Sequence, residues 1–219
     1  MQILVTGGNG YLGGRIVEHL TQMGLSIRVG GRDIFSDSDS LESACSDITA
    51  VVHLAAMNAQ DCDKDPEAAL MVNVLNSLRL LNSAERMGAS KFIYFSTAHV
   101  YGSPLFGELR EDSLPRALHP YSITHRTVED YVLEANNRGK LSGIVFRLTN
   151  AVGAPVREDA NCWMLVVNDL CQQVVVDQKM VLRSDETVER DYIPISSVTA
   201  AVSFFIDNID LGGDIYNLS

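Results

Sequence analysis

The stretch TGGNGYLGG, residues 6–14, constrains this chain more than any other. It follows a short apolar run, ILV at residues 3–5, and leads into Ile16, Leu20 and Met23 at helical spacing, closed by Gly24. Gly7, Gly10 and Gly13 stand three residues apart. Between a strand and a helix each has a physical task. One permits the tight turn, one lets bare backbone approach a pyrophosphate, and one lets the helix pack on the strand. The helix N-terminus, reached through Tyr11 and Leu12, then offers N–H groups and partial positive charge to the anion. A glycine-rich turn without a ligand is the alternative, and the position at the head of a β-α-β unit weighs against it.

The rest of the chain keeps alternating. Strands are expected at SIRVGG (26–31), AVVHLAA (50–56), KFIYFS (91–96) and GIVFRL (143–148). Helices are expected over 67–87, where Leu70, Val74, Leu78 and Leu81 share a stripe closed by Gly88, and over 122–138, closed by Gly139. This order predicts an α/β fold, a doubly wound parallel sheet covered by helices. The 18 residues between Arg32 and Val51 must hold a connection and a helix near 39–46, so a third strand there is short or lost. Beyond residue 151 the pattern loosens. A helix near 162–174, short strands at KMVLR and DYIP, a helix at 196–207 and a last strand at IYNLS are expected. Residues 1–150 are read as the dinucleotide-binding domain. Residues 151–219 are read as a partial substrate-binding lobe interleaved with the last strands of the sheet.

Composition narrows the partners. Seventeen basic against 28 acidic residues leave a formal charge of −11, which argues against nucleic acid and against an anionic membrane surface. No run of 18 apolar residues exists, and the apolar run after Met1 is too short for a signal peptide. Four cysteines without a C-x-x-C pair fit reduced thiols in a cytoplasmic protein and no zinc site. The acidic loop DCDKDPE (61–67) lacks the glycine of a calcium loop, so no metal is expected.

The end of the second strand bears on the dinucleotide. An NAD site carries an acid there for the ribose 2′-hydroxyl, and an NADP site carries an arginine with no acid in the way. The residues are Gly30, Gly31, Arg32 and Asp33, so NADP is preferred through Arg32, with NAD the alternative if Asp33 serves a ribose.

Five segments in order, TGGNGYLGG, HLAA (53–56), FSTAHVYG (95–102), PYSITH (120–125) and RDYIPISSV (190–198), resemble the extended short-chain dehydrogenase/reductase family. That family includes epimerases, dehydratases and ketoreductases of nucleotide sugars. The resemblance implies a Rossmann-like sheet, a nicotinamide dinucleotide and a nucleotide-linked sugar or similar hydroxyl or ketone substrate. Tyr121 matches the tyrosine that exchanges a proton with the substrate while hydride moves, and Thr97 matches the hydroxyl that binds the same oxygen. Leu54, Ala55 and Ala56 match the cofactor-lining segment, and Asn73 an asparagine that holds active-site backbone. Asn150 and Arg190 match contacts to the substrate's nucleotide or diphosphate. For Arg190 a surface ion pair with Glu189 or Asp191 is the alternative. A homodimer through helices 67–87 and 122–138 is implied as well. Members of the family continue well past IYNLS, so the sugar end of the pocket is the part these 219 residues cover least.

Two departures matter. The family places a lysine four residues after the tyrosine; here it is His125. A phenol has a reference pKa near ~10 and needs a stabilised anion to act as a base at neutral pH. Histidine, at ~6.5, offers donors rather than a firm charge. Three readings stay open: His125 serves in the lysine's place, His99 or His119 shares the task, or the protein binds dinucleotide without catalysis. Secondly, the acid pair that sugar dehydratases carry after the threonine is here Ala98-His99, which leaves epimerisation and ketone reduction.

Overall fold

In β1 (Gln2–Thr6) every residue from Ile3 on is buried, because helices cover both faces of the strand. Ile3 and Val5 point into one helical layer and Leu4 into the other. The strand belongs to a computed structural model that describes residues 1–183, 185, 189–208 and 211–219. After the glycine loop, α1 (Tyr11–Gln22) buries Gly13, Ile16 and Leu20. β2 (Ser26–Gly30) follows, then a 3₁₀ turn at Asp33–Phe35 and α2 (Ser38–Cys45), and β3 (Ala50–His53). No strand forms between β2 and β3, so β2 is the sheet edge, as the short connection required. β3 is shorter than the apolar run suggested. Leu54–Ala56 leave the ladder after His53, and the Leu54 N–H makes a last bond to the Thr6 carbonyl at 3.2 Å.

The expected helix over 67–87 is a composite. The acidic segment 61–67, expected as a loop, instead closes α3 (Ala59–Lys64) and opens α4 (Pro66–Ala69), and the chain continues through a π turn at Leu70–Leu75 into α5 (Asn76–Arg86). The wider turn carries Asn73 inward, 1% exposed. β4 (Lys91–Thr97) is buried throughout and ends in a 3₁₀ turn, Ala98–Tyr101. α6 (Pro120–Asn137) begins at a proline, which suits the first helical position, with His119 as its cap. Then come β5 (Ser142–Leu148), β6 (Asn150–Val152), α7 (Val166–Asp177), β7 (Tyr192–Pro194), α8 (Ile195–Asp207) and β8 (Ile215–Leu218). The expected strand at KMVLR does not form among the described residues. The Val181 N–H bonds the Gln173 side chain at 2.7 Å, which folds this segment back onto α7 instead of into a sheet.

The six-stranded sheet has the order β2-β1-β3-β4-β5-β8, and every pair is parallel. Helices α2, α5 and α6 cover one face, and α1 and α8 the other. A small second sheet pairs β6 with β7. The chain leaves β1 toward β2 on one side and β3 on the other. The crevice at the carboxyl ends of these strands is where such sheets hold ligands. On the opposite rim, the buried Lys91 ammonium donates to the carbonyls of Phe205 at 2.5 Å and Asn208 at 2.9 Å, a cation at the C-terminus of α8.

Candidate active site

The glycine loop is shaped by contacts that exclude side chains. Gly7 has φ +71, and a Cβ there would lie 3.0 Å from the backbone of Leu54 and Ala55. A Cβ on Gly13 would lie 2.1 Å from the Gly7 carbonyl oxygen, so only glycine lets α1 sit this close to β1. The Gly10 N–H closes the turn on the Gly7 carbonyl at 2.9 Å. No side chain caps α1 and its first turn holds no acid, so the N-terminal amides face the cleft uncompensated. This bare, electropositive cradle fits a pyrophosphate. Leu12 packs against the core below it. The Tyr11 hydroxyl donates to the Gly153 carbonyl at 2.8 Å, tying α1 to the C-terminal portion. Burial raises its pKa.

At the end of β2 Arg32 is exposed. The Asp33 carboxylate curls back, with one oxygen 2.4 Å from where a Cβ on Gly31 would stand. A side chain at 31 would displace it.

Across the cleft, Asn73 is fully engaged by the protein. Its Oδ1 accepts the Met57 N–H at 2.7 Å, and its Nδ2 donates to Thr124 at 3.1 Å and toward the Cys62 sulfur at 3.4 Å. It therefore fastens the loop after Ala56 to α6, and this amide is not left to a ligand. Ala55 is held from below, its N–H reaching the Thr6 hydroxyl at 3.4 Å.

Thr97 ends β4 and Tyr121 opens α6. Burial pushes Tyr121 up to about 12, Cys62 adds to the rise, and the Thr97 side chain opposes it. Among the described residues no cation counters that burial. His125 packs inward. It is 3% exposed, its Nδ1 pairs with the Tyr94 hydroxyl at 2.7 Å, and its Nε2 is buried without a partner. The Tyr121 ring stands edge-on to it, centroids 4.4 Å apart. Burial lowers the imidazole to about 4, so the ring is neutral at physiological pH. The reason is reach: a short ring one helical turn beyond Tyr121 packs inward on β4, where a longer chain could extend along the cleft.

Asn150 opens β6, and its side-chain amide donates to the Asp191 carbonyl at 2.9 Å, inside the β6–β7 pairing. Arg190 is exposed and forms no ion pair among the described residues. His119 is spent as a cap, its Nδ1 accepting the Tyr121 N–H at 3.2 Å.

Four buried groups are not singled out by the sequence. Tyr94 is the partner of His125 and sits on β4 three residues before Thr97. Cys62 is buried against Asn73 and raises the Tyr121 phenol further. Glu129 and Arg147 form a buried ion pair, 0% and 1% exposed, between α6 and β5. His53 bridges Thr6 at 2.6 Å and Ser77 at 2.7 Å. The one signal for these in the sequence was a polar residue inside an apolar strand or on a helix's buried stripe.

A parallel sheet with a glycine cradle at its switch point and a hydroxyl–phenol pair across the crevice defines a dinucleotide-binding α/β protein. The chain belongs to the NAD dependent epimerase/dehydratase family, whose profile matches residues 3–219. It is 28% identical to a UDP-glucose 4-epimerase of Azospirillum brasilense over 70% of this chain and 50% of that protein. With UDP-glucose 4-epimerase 3 of Oryza sativa subsp. japonica it shares 26% identity over 99% of this chain and 71% of the relative. The chain thus spans between half and about three quarters of the length of such relatives. Among solved structures it superposes on MoeE5 in complex with UDP-glucose and NAD with TM-score 0.87 at 26% identity, covering all of this chain and 76% of that one. UDP-glucose 4-epimerase of Thermus thermophilus in complex with NAD gives TM-score 0.84 at 27% identity, over all of this chain and 78% of that one. No helix among the described residues is long and apolar enough to cross a membrane.

Proposed function

We propose that this protein binds a nicotinamide dinucleotide in the Gly7–Gly10–Gly13 cradle and reduces a ketone on a nucleotide-linked sugar, with Tyr121 as proton donor. The observation that carries this reading is that Thr97 ends β4 and Tyr121 opens α6, with the Thr97 side chain acting on the phenol. When bound, the reduced nicotinamide supplies hydride to the carbonyl carbon. Thr97 holds the carbonyl oxygen, and Tyr121 delivers the proton that completes the alcohol. A phenol pushed up to about 12 is protonated at neutral pH. It is therefore ready to donate, and poorly suited to open an epimerisation by taking a proton. Reduction is favoured over epimerisation on that ground, and dehydration is disfavoured by Ala98 and His99.

Arg32, exposed at the end of β2, supports NADP over NAD; the Asp33 carboxylate folded beside it is the counterweight. Asn150 and Arg190 are proposed to meet the nucleotide or diphosphate. Exposed Leu70, Met71, Ile123 and Tyr131 on the α4–α5 and α6 helices support a homodimer through that face. A cytoplasmic location fits the free cysteines.

A second reading has its own support. With His125 turned inward and no cation beside the phenol among the described residues, the fold could hold dinucleotide without turning over. Titration with NADPH and NADH by fluorescence, then addition of nucleotide 4-ketosugars, separates the two. Turnover that is lost in Tyr121→Phe and rises in His125→Lys marks an enzyme working with a weakened acid. Dinucleotide binding with no turnover in either wild type or His125→Lys establishes the second reading and refutes the first.

A further inference from the structure

A polar row crosses the sheet one residue below Thr97. Strand register sets Ser96 of β4 beside Arg147 of β5, and Arg147 beside Asn217 of β8. Register neighbours in a sheet point to the same face. Here that face meets α6, where Ser96 and Arg147 both donate to Glu129, at 2.5 and 2.7 Å. Asn217, at the end of the row, turns to two other segments. Its side-chain oxygen accepts the Tyr101 hydroxyl at 2.8 Å. Its side-chain nitrogen donates to the Leu109 carbonyl at 3.1 Å, and its backbone N–H donates to the Glu111 carboxylate at 2.7 Å. Tyr101 closes the 3₁₀ turn that Thr97 caps, where the Thr97 hydroxyl accepts the His99 N–H at 3.2 Å. Leu109 and Glu111 belong to residues 102–118, which form no helix or strand and lead into His119, Pro120 and Tyr121. A connection this long without secondary structure is uncommon and usually has a task. Two further bonds close the circuit. The Arg116 N–H donates to the Val100 carbonyl at 2.8 Å, and Arg147 donates to the Glu111 carbonyl at 3.3 Å while lying 4.6 Å over the Tyr101 ring. Asn217 therefore holds both the turn that leaves Thr97 and the loop that arrives at Tyr121. An amide can do this because it accepts and donates at once.

We propose that Asn217 is a positioning residue for the reaction: it fixes the turn after Thr97 against the loop before Tyr121, and so sets the separation of the two groups that meet the substrate oxygen. The inference rests on the reading of Thr97 and Tyr121 as those groups. Asn217 lies on β8, with β5 between it and β4, so it acts only through Tyr101, Leu109 and Glu111.

The variants are Tyr101→Phe, which removes one hydroxyl and keeps the ring over Arg147, and Asn217→Ala. Asn136→Ala is the control. That asparagine also anchors the approach to β8, donating to the Gly213 carbonyl at 3.1 Å and accepting the Gly143 N–H at 3.2 Å, but on the opposite rim of the sheet. Dinucleotide affinity is read from NADPH fluorescence. Turnover of UDP-4-keto-6-deoxyglucose and GDP-4-keto-6-deoxymannose is read from the loss of nicotinamide absorbance, per dinucleotide-binding site, so that unfolded protein does not count. In Tyr101→Phe kcat is expected to fall ~tenfold, and in Asn217→Ala at least as far, with KM and dinucleotide affinity within about twofold, because misplacement acts on the reacting geometry and not on ligand binding. The double variant is expected to match Asn217→Ala alone, since both changes break one link. Amide hydrogen exchange over residues 109–123 is expected to quicken in both variants and to stay as in the wild type in Asn136→Ala. An unchanged kcat in Tyr101→Phe, or an equal loss of kcat in Asn136→Ala, overturns the inference and leaves the ketone-reduction reading standing. A wild-type chain that binds NADPH and turns over neither ketosugar overturns both.

Discussion

Arg147→Met strands a carboxylate in the interior, and its cost follows from the geometry. The Arg147 Nη2 donates to Glu129 at 2.7 Å, and its Nε reaches both carboxylate oxygens at 3.1 and 3.2 Å. The same guanidinium donates to the Glu111 carbonyl at 3.3 Å and lies 4.6 Å over the Tyr101 ring. Methionine fills much of the volume and removes all of these. Glu129 then keeps the Ser96 hydroxyl at 2.5 Å and Arg126 at 3.0 Å. Arg126 is 30% exposed, so its charge is partly screened and compensates only in part. Removing one partner of a buried pair costs about 3–5 kcal/mol, and the two surviving contacts place this case near ~3. For a chain of this size that lowers the thermal midpoint by roughly 6–12 °C. Adding Glu129→Gln removes the stranded charge and keeps an oxygen for Ser96, so the double variant is expected to regain about half of the loss or more. Urea unfolding with a constant m-value, run on both singles and the double, measures the coupling. A single variant within about 1 kcal/mol of wild type, or a double no better than the single, would refute the assignment of this pair as a buried electrostatic lock.

Acid should loosen the fold through two imidazoles. Burial lowers His53 to about 3 and His125 to about 4, below the ordinary value of 6.5. The folded chain therefore binds fewer protons than the unfolded one in this window. The contribution of each ring is fully present above about pH 6.5 and is lost as pH falls toward 4 and then 3, at up to ~1.4 kcal/mol per pH unit per ring. Urea midpoints across that range check it, and His53→Gln should flatten the slope. Gly13→Ala drives a methyl to 2.1 Å from the Gly7 carbonyl oxygen, so the loop must open. Dinucleotide affinity should fall at least ~tenfold with a lowered thermal midpoint, whereas Gly24→Ala, in open space, should touch stability through its φ of +81 and leave affinity alone.

The alternation of apolar runs with helical stripes made the parallel sheet legible, because strands covered on both faces must be apolar at every position. The glycine spacing did the same for the cradle, since no other side chain fits at Gly7 or Gly13. The lost strand followed from counting residues between Arg32 and Val51. Less was visible where a local pattern has two readings. The stripe from Leu70 to Leu81 fits an α-helix, yet a π turn intervenes because Asn73 must reach Met57 and Thr124 on other elements. KMVLR has the composition of a strand, yet Gln173 supplies the partner that a neighbouring strand would have offered.

Tyr121 and Thr97 could be named from the chain because the segments that hold them, PYSITH and FSTAHVYG, carry the family resemblance. That His125 turns away could not. Spacing along a helix says which face a side chain occupies, and both Tyr121 and His125 lie on the same one. Whether the ring ends in the cleft or against β4 depends on the length of the side chain and on a hydroxyl from Tyr94, which lies 31 positions away in sequence. The amino-acid order alone thus determined the sheet, the phosphate cradle and the chemical groups brought to the site. Only the packed chain decided their protonation and partners, because burial and distant hydrogen bonds set both and neither is a property of any short segment.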